Sequence, residues 1–109
     1  MSENKFSELK SVISELREKC PWDRKQTFQS LRSLTIEEVY ELSEAIINQD
    51  PKNIEEESGD LLLHVLFYAK LGEEKKLFSI NTIIEKLILK LKERHPHIYG
   101  SLKAESSEE

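Results

Sequence analysis

A chain of 109 residues is long enough to bury one hydrophobic core and too short for two. Its 16 basic against 21 acidic residues leave a net charge of -5, which excludes a general binder of nucleic-acid backbones, because such proteins need a basic surface to displace counterions. Three glycines, three prolines and abundant Leu, Ile, Glu and Lys at helical spacing predict an all-α fold without strands. The lone Cys20 has no internal disulfide partner, and the N-terminus lacks the basic and apolar regions of a secretory signal, so the chain reads as cytoplasmic. The longest apolar run, 61–69, falls far short of the roughly 20 residues that cross a bilayer, so no membrane segment is expected.

The first helix is expected to start at Ser2 or Asn4, either of which can cap it, with Phe6, Leu9, Val12, Ile13 and Leu16 on one apolar stripe. It should stop before Cys20-Pro21, since proline disfavours helix in the residue ahead of it. The following loop, 20–27, carries the only tryptophan. Trp22 there reads either as a staple over the core or as a platform for a flat ligand such as a base, which makes it a candidate substrate-binding residue. A second helix runs from Thr27 to Asn48, with a break or kink expected near Ser33-Leu34-Thr35. Thr35 and Glu38 match a capping box, in which Glu38 would close back on a helix start.

Glu38 and Glu41 lie three residues apart, hence on one helix face, and so do Glu57 and Asp60 on the next helix. A turn near Asp50-Pro51 folds these helices antiparallel, so that all four carboxylates converge on one pocket. Carboxylates gathered in this way repel and are costly to bury unpaired. All-oxygen ligands at this density suit a hard divalent ion such as Mg²⁺, with Mn²⁺ as an alternative. Competing with that are acids decorating a solvated helix, and the favourable placement of Glu55, Glu56 and Glu57 near a helix N-terminus.

Asp50 or Asn53 can cap the third helix, with Pro51 in its first turn. From Leu61 to Leu71 that helix is apolar on almost every side, as in a helix enclosed by protein. Asn53, Glu57, Asp60 and His64 form its one polar stripe. His64 is open to two readings, a partner of a metal-bound carboxylate or a histidine satisfied by an ordinary neighbour. Gly59 suggests close approach by a backbone or ligand, since glycine inside a helix costs roughly 1 kcal/mol. Gly72 reads as a helix stop. The last helix begins at Ser79, with Ile80, Ile83, Ile84, Leu87, Ile88 and Leu91 on one face and Lys86, Lys90 and Arg94 as a basic ridge beside it. His95 and His97 lack the spacing of a helix zinc site and are assigned no metal.

Taken together, Cys20-Pro21-Trp22-Asp23 with Gln26-Thr27, Glu37-Glu38-x-x-Glu41, Glu57-x-Gly59-Asp60-Leu61-Leu62, Lys90 and Arg94-His95-Pro96-His97-Ile98-Tyr99-Gly100 resemble the MazG-type nucleoside triphosphate pyrophosphohydrolases. This family belongs to the all-α NTP pyrophosphatase superfamily, and the chain is similar to the N-terminal domain of its two-domain members. The resemblance implies a four-helix antiparallel bundle completed by dimerisation, and Mg²⁺-dependent hydrolysis of NTP or dNTP to the monophosphate and pyrophosphate. It implies Glu38, Glu41, Glu57 and Asp60 as metal ligands, Glu37 as the residue that orients or deprotonates the attacking water, and Lys90 and Arg94 as phosphate ligands. It implies a homodimer or dimer of dimers; Leu66 and Phe67 are candidates for its interface. Residues 1–100 are expected to form the helical domain and 101–109 a polar tail resembling the entrance to a further helix. The alternative is a catalytically silent module of the same fold that dimerises or regulates a partner.

Overall fold

The computed structural model describes residues 4–100, and every regular element in it is helical. Ser2, an alternative first cap, and the tail 101–109 lie outside the described residues. Helix α1 (Lys5–Lys19) is capped by Asn4, whose side chain accepts from the backbone of Phe6 and Ser7. The segment expected as a loop contains a helical turn, α2 (Pro21–Arg24), with Pro21 at the position where its missing N–H leaves no bond unmade.

Helix α3 (Phe28–Ile47) is continuous for 20 residues, so the expected break near Ser33-Leu34-Thr35 does not occur. Its capping box joins Thr27 and Ser30, which removes the capping role considered for Thr35 and Glu38: both stand inside the helix, where no free backbone N–H remains to cap. Helix α4 (Pro51–Glu74) starts at the Asp50 cap and passes through Gly72. Both α3 and α4 end in the same way. Gln49 N–H bonds Ile46 O while Asp50 N–H bonds Ala45 O, and Lys76 N–H bonds Glu73 O while Leu77 N–H bonds Gly72 O. This is the paired-bond Schellman ending, with Gln49 (φ 54) and Lys76 (φ 60) in the left-handed region that glycine usually fills. Gly72 serves packing instead: a Cβ there would run into the Phe78 ring as the chain turns back.

Helix α5 (Ile80–Glu93) begins at Ser79 in a capping box with Thr82, and a short α6 (Pro96–Tyr99) follows. The core lies where the antiparallel α3–α4 hairpin meets α1. Leu31, Phe67 and Leu71 form its centre, with Phe28, Leu34 and Tyr68 packed around them, and Ile13 of α1 is buried nearby. Arg17 ties this assembly together. Its guanidinium donates to the carbonyls of Asp23, Arg24 and Gln26 and to both oxygens of Glu74, so that one side chain joins α1, the end of α2 and the end of α4.

The fold is the expected all-α arrangement of four long helices. Two details of burial differ. Leu66 and Phe67, the interface candidates, are 3% and 5% exposed and belong to the chain's own core, while Leu62 and Leu63, one turn earlier on the same faces of α4, and Val65 remain open. Helix α4 is therefore only half enclosed. Conversely α5 buries no residue, and its Ile84, Leu87, Ile88 and Leu91 are exposed. The Cα radius of gyration, 17.4 Å, exceeds the roughly 13 Å of a compact chain of this length, consistent with a fourth helix that stands off the other three. No helix among the described residues is long and apolar enough to cross a membrane.

Candidate functional site

The antiparallel hairpin decides which acids meet. Glu38 and Glu41 project from consecutive turns of α3 toward α4, and Glu57 answers from α4. One carboxylate oxygen from each of these three lies within 4.8 Å of the others. Asp60 falls outside that trio but stays close enough for its charge to act on both Glu38 and Glu41. Glu37 is exposed, next to the cluster in sequence, and its charge reaches Glu41.

The electrostatics of this group are those of a site short of positive charge. Glu38 Oε2 and Glu57 Oε1 are both buried and neither has a hydrogen-bond donor. An ionised carboxylate accepts and cannot donate, so two facing carboxylates need either a proton or a cation between them. Accordingly the Glu38 carboxyl is pushed up to about 8, first by a proton shared with Glu57, then by burial and by the charges of Asp60, Glu41 and Glu57. Glu41 is also raised, chiefly by the charge of Glu57. No basic side chain is among the groups acting on either. Three carboxylates gathered this closely offer the all-oxygen donor set that would hold a divalent ion. The donor set therefore fits a hard divalent cation.

Lys90 and Arg94 are exposed on α5 and at its C-terminal end and are not brought against the acids. Trp22 does not cover the core as a staple would. It is 58% exposed on α2 and forms one wall of an apolar cleft that also involves Leu34, Leu63, His64 and Phe67. Gly59 has open space where a Cβ would stand, so no backbone of this chain approaches it.

His64 does not reach a carboxylate. Its Nδ1 lies 2.6 Å from Thr35 Oγ1, and the same hydroxyl contacts Tyr68 OH and Leu31 O. Thr35 and Tyr68 went unremarked as partners in the sequence. A signal was present, since His64 and Tyr68 stand four apart on one face of α4, but Thr35 looked like a helix cap.

The pattern of acids on a helical hairpin, a proline-started turn with an exposed tryptophan, and a terminal basic helix matches a known domain. A family description, the MazG nucleotide pyrophosphohydrolase domain, fits residues 26–99. The chain belongs to the MazG family. Among similar proteins, the MazG nucleoside triphosphate pyrophosphohydrolase/pyrophosphatase of Thermotoga maritima is 47% identical over 97 residues, 87% of this chain and 38% of that one. The nucleoside triphosphate pyrophosphohydrolase of Escherichia coli K12 is 38% identical over 109 residues, 97% of this chain and 41% of its own. The uncharacterised YabN of Bacillus subtilis is 45% identical over 104 residues, 94% of this chain but 21% of YabN. The chain thus spans between a fifth and two fifths of these relatives. A crystal structure of a MazG-related protein from Thermotoga maritima superposes with a TM-score of 0.76 at 29% identity, covering 89% of this chain and 85% of that one.

Proposed function

We propose that this MazG domain is a Mg²⁺-dependent nucleoside triphosphate pyrophosphohydrolase that converts an NTP or dNTP to the monophosphate and pyrophosphate. The observation that carries the reading is the pair of buried, donorless oxygens on Glu38 and Glu57 beside Glu41. Such a trio is unfavourable alone and becomes favourable around a divalent cation. Family membership supplies the substrate class, through relatives named for this activity.

In this reading Glu38, Glu41, Glu57 and Asp60 would hold the ion. A divalent ion held there would bind phosphate oxygens, acidify a bound water and offset the charge that develops at phosphorus. Glu37, exposed beside the cluster, would orient the attacking water and take its proton. Lys90 and Arg94 would bind phosphate oxygens. Because α5 stands off the bundle, those two cations reach the acids only when α5 is carried over a site, which a homodimer achieves if each chain's α5 lies against its partner. Mn²⁺ would serve in place of Mg²⁺, as the same oxygen donors suit both.

Purified protein with Mg²⁺ is expected to release pyrophosphate from at least one NTP or dNTP. Glu41→Gln and Asp60→Asn should reduce the rate at least a hundredfold with unchanged helical circular dichroism. Release of orthophosphate, or full activity in both variants, would overturn the proposal. A silent dimerisation module would instead form a stable oligomer and release nothing from any nucleotide.

A further inference from the structure

Repulsion among Glu38, Glu41, Glu57 and Asp60 acts to push α3 and α4 apart at the level of the acids. The two helices are tied together on either side of that level. On one side is the connection itself, where Gln49 N–H bonds Ile46 O, Asp50 N–H bonds Ala45 O and the Asp50 side chain caps α4. On the other side stands Thr35. Apart from the proton shared by Glu38 and Glu57, the side-chain hydrogen bonds that cross from α3 to α4 among the described residues all converge on Thr35 Oγ1. Thr35 precedes Glu38 by one turn of α3, and His64 follows Asp60 by one turn of α4, about 4.5 and 6 Å along the two axes at 1.5 Å per residue. The acids are thus bracketed between a backbone tie and a side-chain tie.

The side-chain tie uses the whole bonding capacity of one hydroxyl. Thr35 Oγ1 has a single hydrogen and contacts Leu31 O, His64 Nδ1 and Tyr68 OH. The Leu31 carbonyl can only accept, so all three contacts are hydrogen bonds only when Thr35 donates to Leu31 O and receives both His64 Nδ1–H and Tyr68 O–H. His64 and Tyr68 stand one turn apart on α4, so the hydroxyl is gripped from two levels, which fixes the register of the helices as well as their separation. Tyr68 is itself held, its ring stacked on Phe28 at the start of α3 with centroids 6.0 Å apart. Removing the hydroxyl would leave two donors without an acceptor in a half-buried seam.

We infer that Thr35 is a positioning residue for the acidic site: its hydroxyl sets α3 against α4, and so the fit of Glu38, Glu41, Glu57 and Asp60 to a small divalent ion. This inference rests on the metal reading of the acids above. Spacing weighs differently on different ions. Mg²⁺ demands near-ideal octahedral geometry with oxygens at about 2.0–2.1 Å, whereas Ca²⁺ accepts oxygens at about 2.3–2.6 Å in flexible shells. A loosened seam therefore harms Mg²⁺ binding more than Ca²⁺ binding, whereas a general loss of stability would weaken both alike.

Calorimetric titration of the full chain with Mg²⁺ and, separately, with Ca²⁺, without nucleotide, tests the role. Thr35→Val keeps the shape of the side chain and removes the hydroxyl. It should weaken Mg²⁺ binding about tenfold, the low end of what the supporting partners of a metal shell contribute. Ca²⁺ binding should weaken less than about threefold, because its shell adapts. Thr35→Ser keeps the hydroxyl and should bind both ions as the wild type does. Tyr68→Phe removes one of the two donors and keeps the stacked ring, so it serves where Thr35→Val does not fold; it should shift the Mg²⁺-to-Ca²⁺ affinity ratio in the same direction, by about threefold. An unchanged ratio in the folded variants, or a Thr35→Ser that behaves as Thr35→Val, would overturn the positioning role and leave the metal reading standing. A wild type that binds neither ion would overturn the metal reading, and the positioning role with it.

Discussion

Glu38 and Glu57 face each other across the α3–α4 hairpin with one buried oxygen each and no donor for either. The antiparallel pairing that builds the core thus also creates a local excess of negative charge, which the fold tolerates only with a proton or a cation between the two.

The first prediction concerns pH. The folded Glu38 carboxyl holds its proton to about 8, whereas the unfolded chain releases it near 4.5, the ordinary value for a glutamate. Unfolding therefore releases a proton between those values, and the stability that the shared proton supplies is full below about 4.5 and lost as pH rises through about 8. Thermal melts of metal-free protein from pH 5 to 8.5 should show a larger fall in Tm than Glu38→Gln shows. Mg²⁺ at pH 8 should restore Tm in the wild type and not in the variant. Parallel wild-type and variant curves would remove the shared proton from the account.

Arg17 and Glu74 form an ion pair of unequal halves. The Arg17 side chain is 17% exposed and Glu74 38%, and Arg17 alone also satisfies three carbonyls. Arg17→Met should cost about 2–3 kcal/mol, since it strands those carbonyls as well as Glu74. Glu74→Gln should cost under about 1 kcal/mol, because water screens the exposed partner. Urea unfolding of both variants measures the ratio; equal losses would mean that the carbonyl contacts contribute little.

The two helical glycines should respond in opposite directions. Gly59→Ala meets nothing within 4 Å and should stabilise the chain by about 0.5–1 kcal/mol through helix propensity alone. Gly72→Ala drives a methyl into the Phe78 ring, so overpacking should outweigh the propensity gain and lower stability by about 1 kcal/mol or more. Chemical denaturation distinguishes them, and a stabilised Gly72→Ala would show that the Phe78 loop yields freely.

Self-association should depend on the exposed side of α5. Ile84, Leu87, Ile88 and Leu91 form a contiguous apolar face left exposed among the described residues, and the closed symmetric dimer is the commonest way a homo-oligomer covers one. Sedimentation velocity at micromolar protein should give at least a dimer. Leu87→Lys combined with Leu91→Lys should yield a monomer of unchanged helical content. A wild-type monomer would show that the face stays solvated.

The existence and class of the elements were legible in the residues because helical periodicity, caps and prolines act locally. Asn4, Thr27, Asp50 and Ser79 each start a helix through bonds to their own next few residues. The i, i+3 acids were legible for the same reason, as spacing on one helix fixes their common face. What the sequence could not decide was pairing across helices. It pointed to Leu66 and Phe67 as an outer surface, but which side of an all-round apolar helix turns inward depends on where α1 and α3 dock, and they dock on those two residues. It left Thr35 as a cap because the partners that hold it, His64 and Tyr68, stand 29 and 33 residues away. It drew the cations of α5 toward the acids, while the tertiary structure leaves that helix apart, with no residue of it buried. Local bonds write helices into sequence; the side of each helix that is buried is a property of all of them at once.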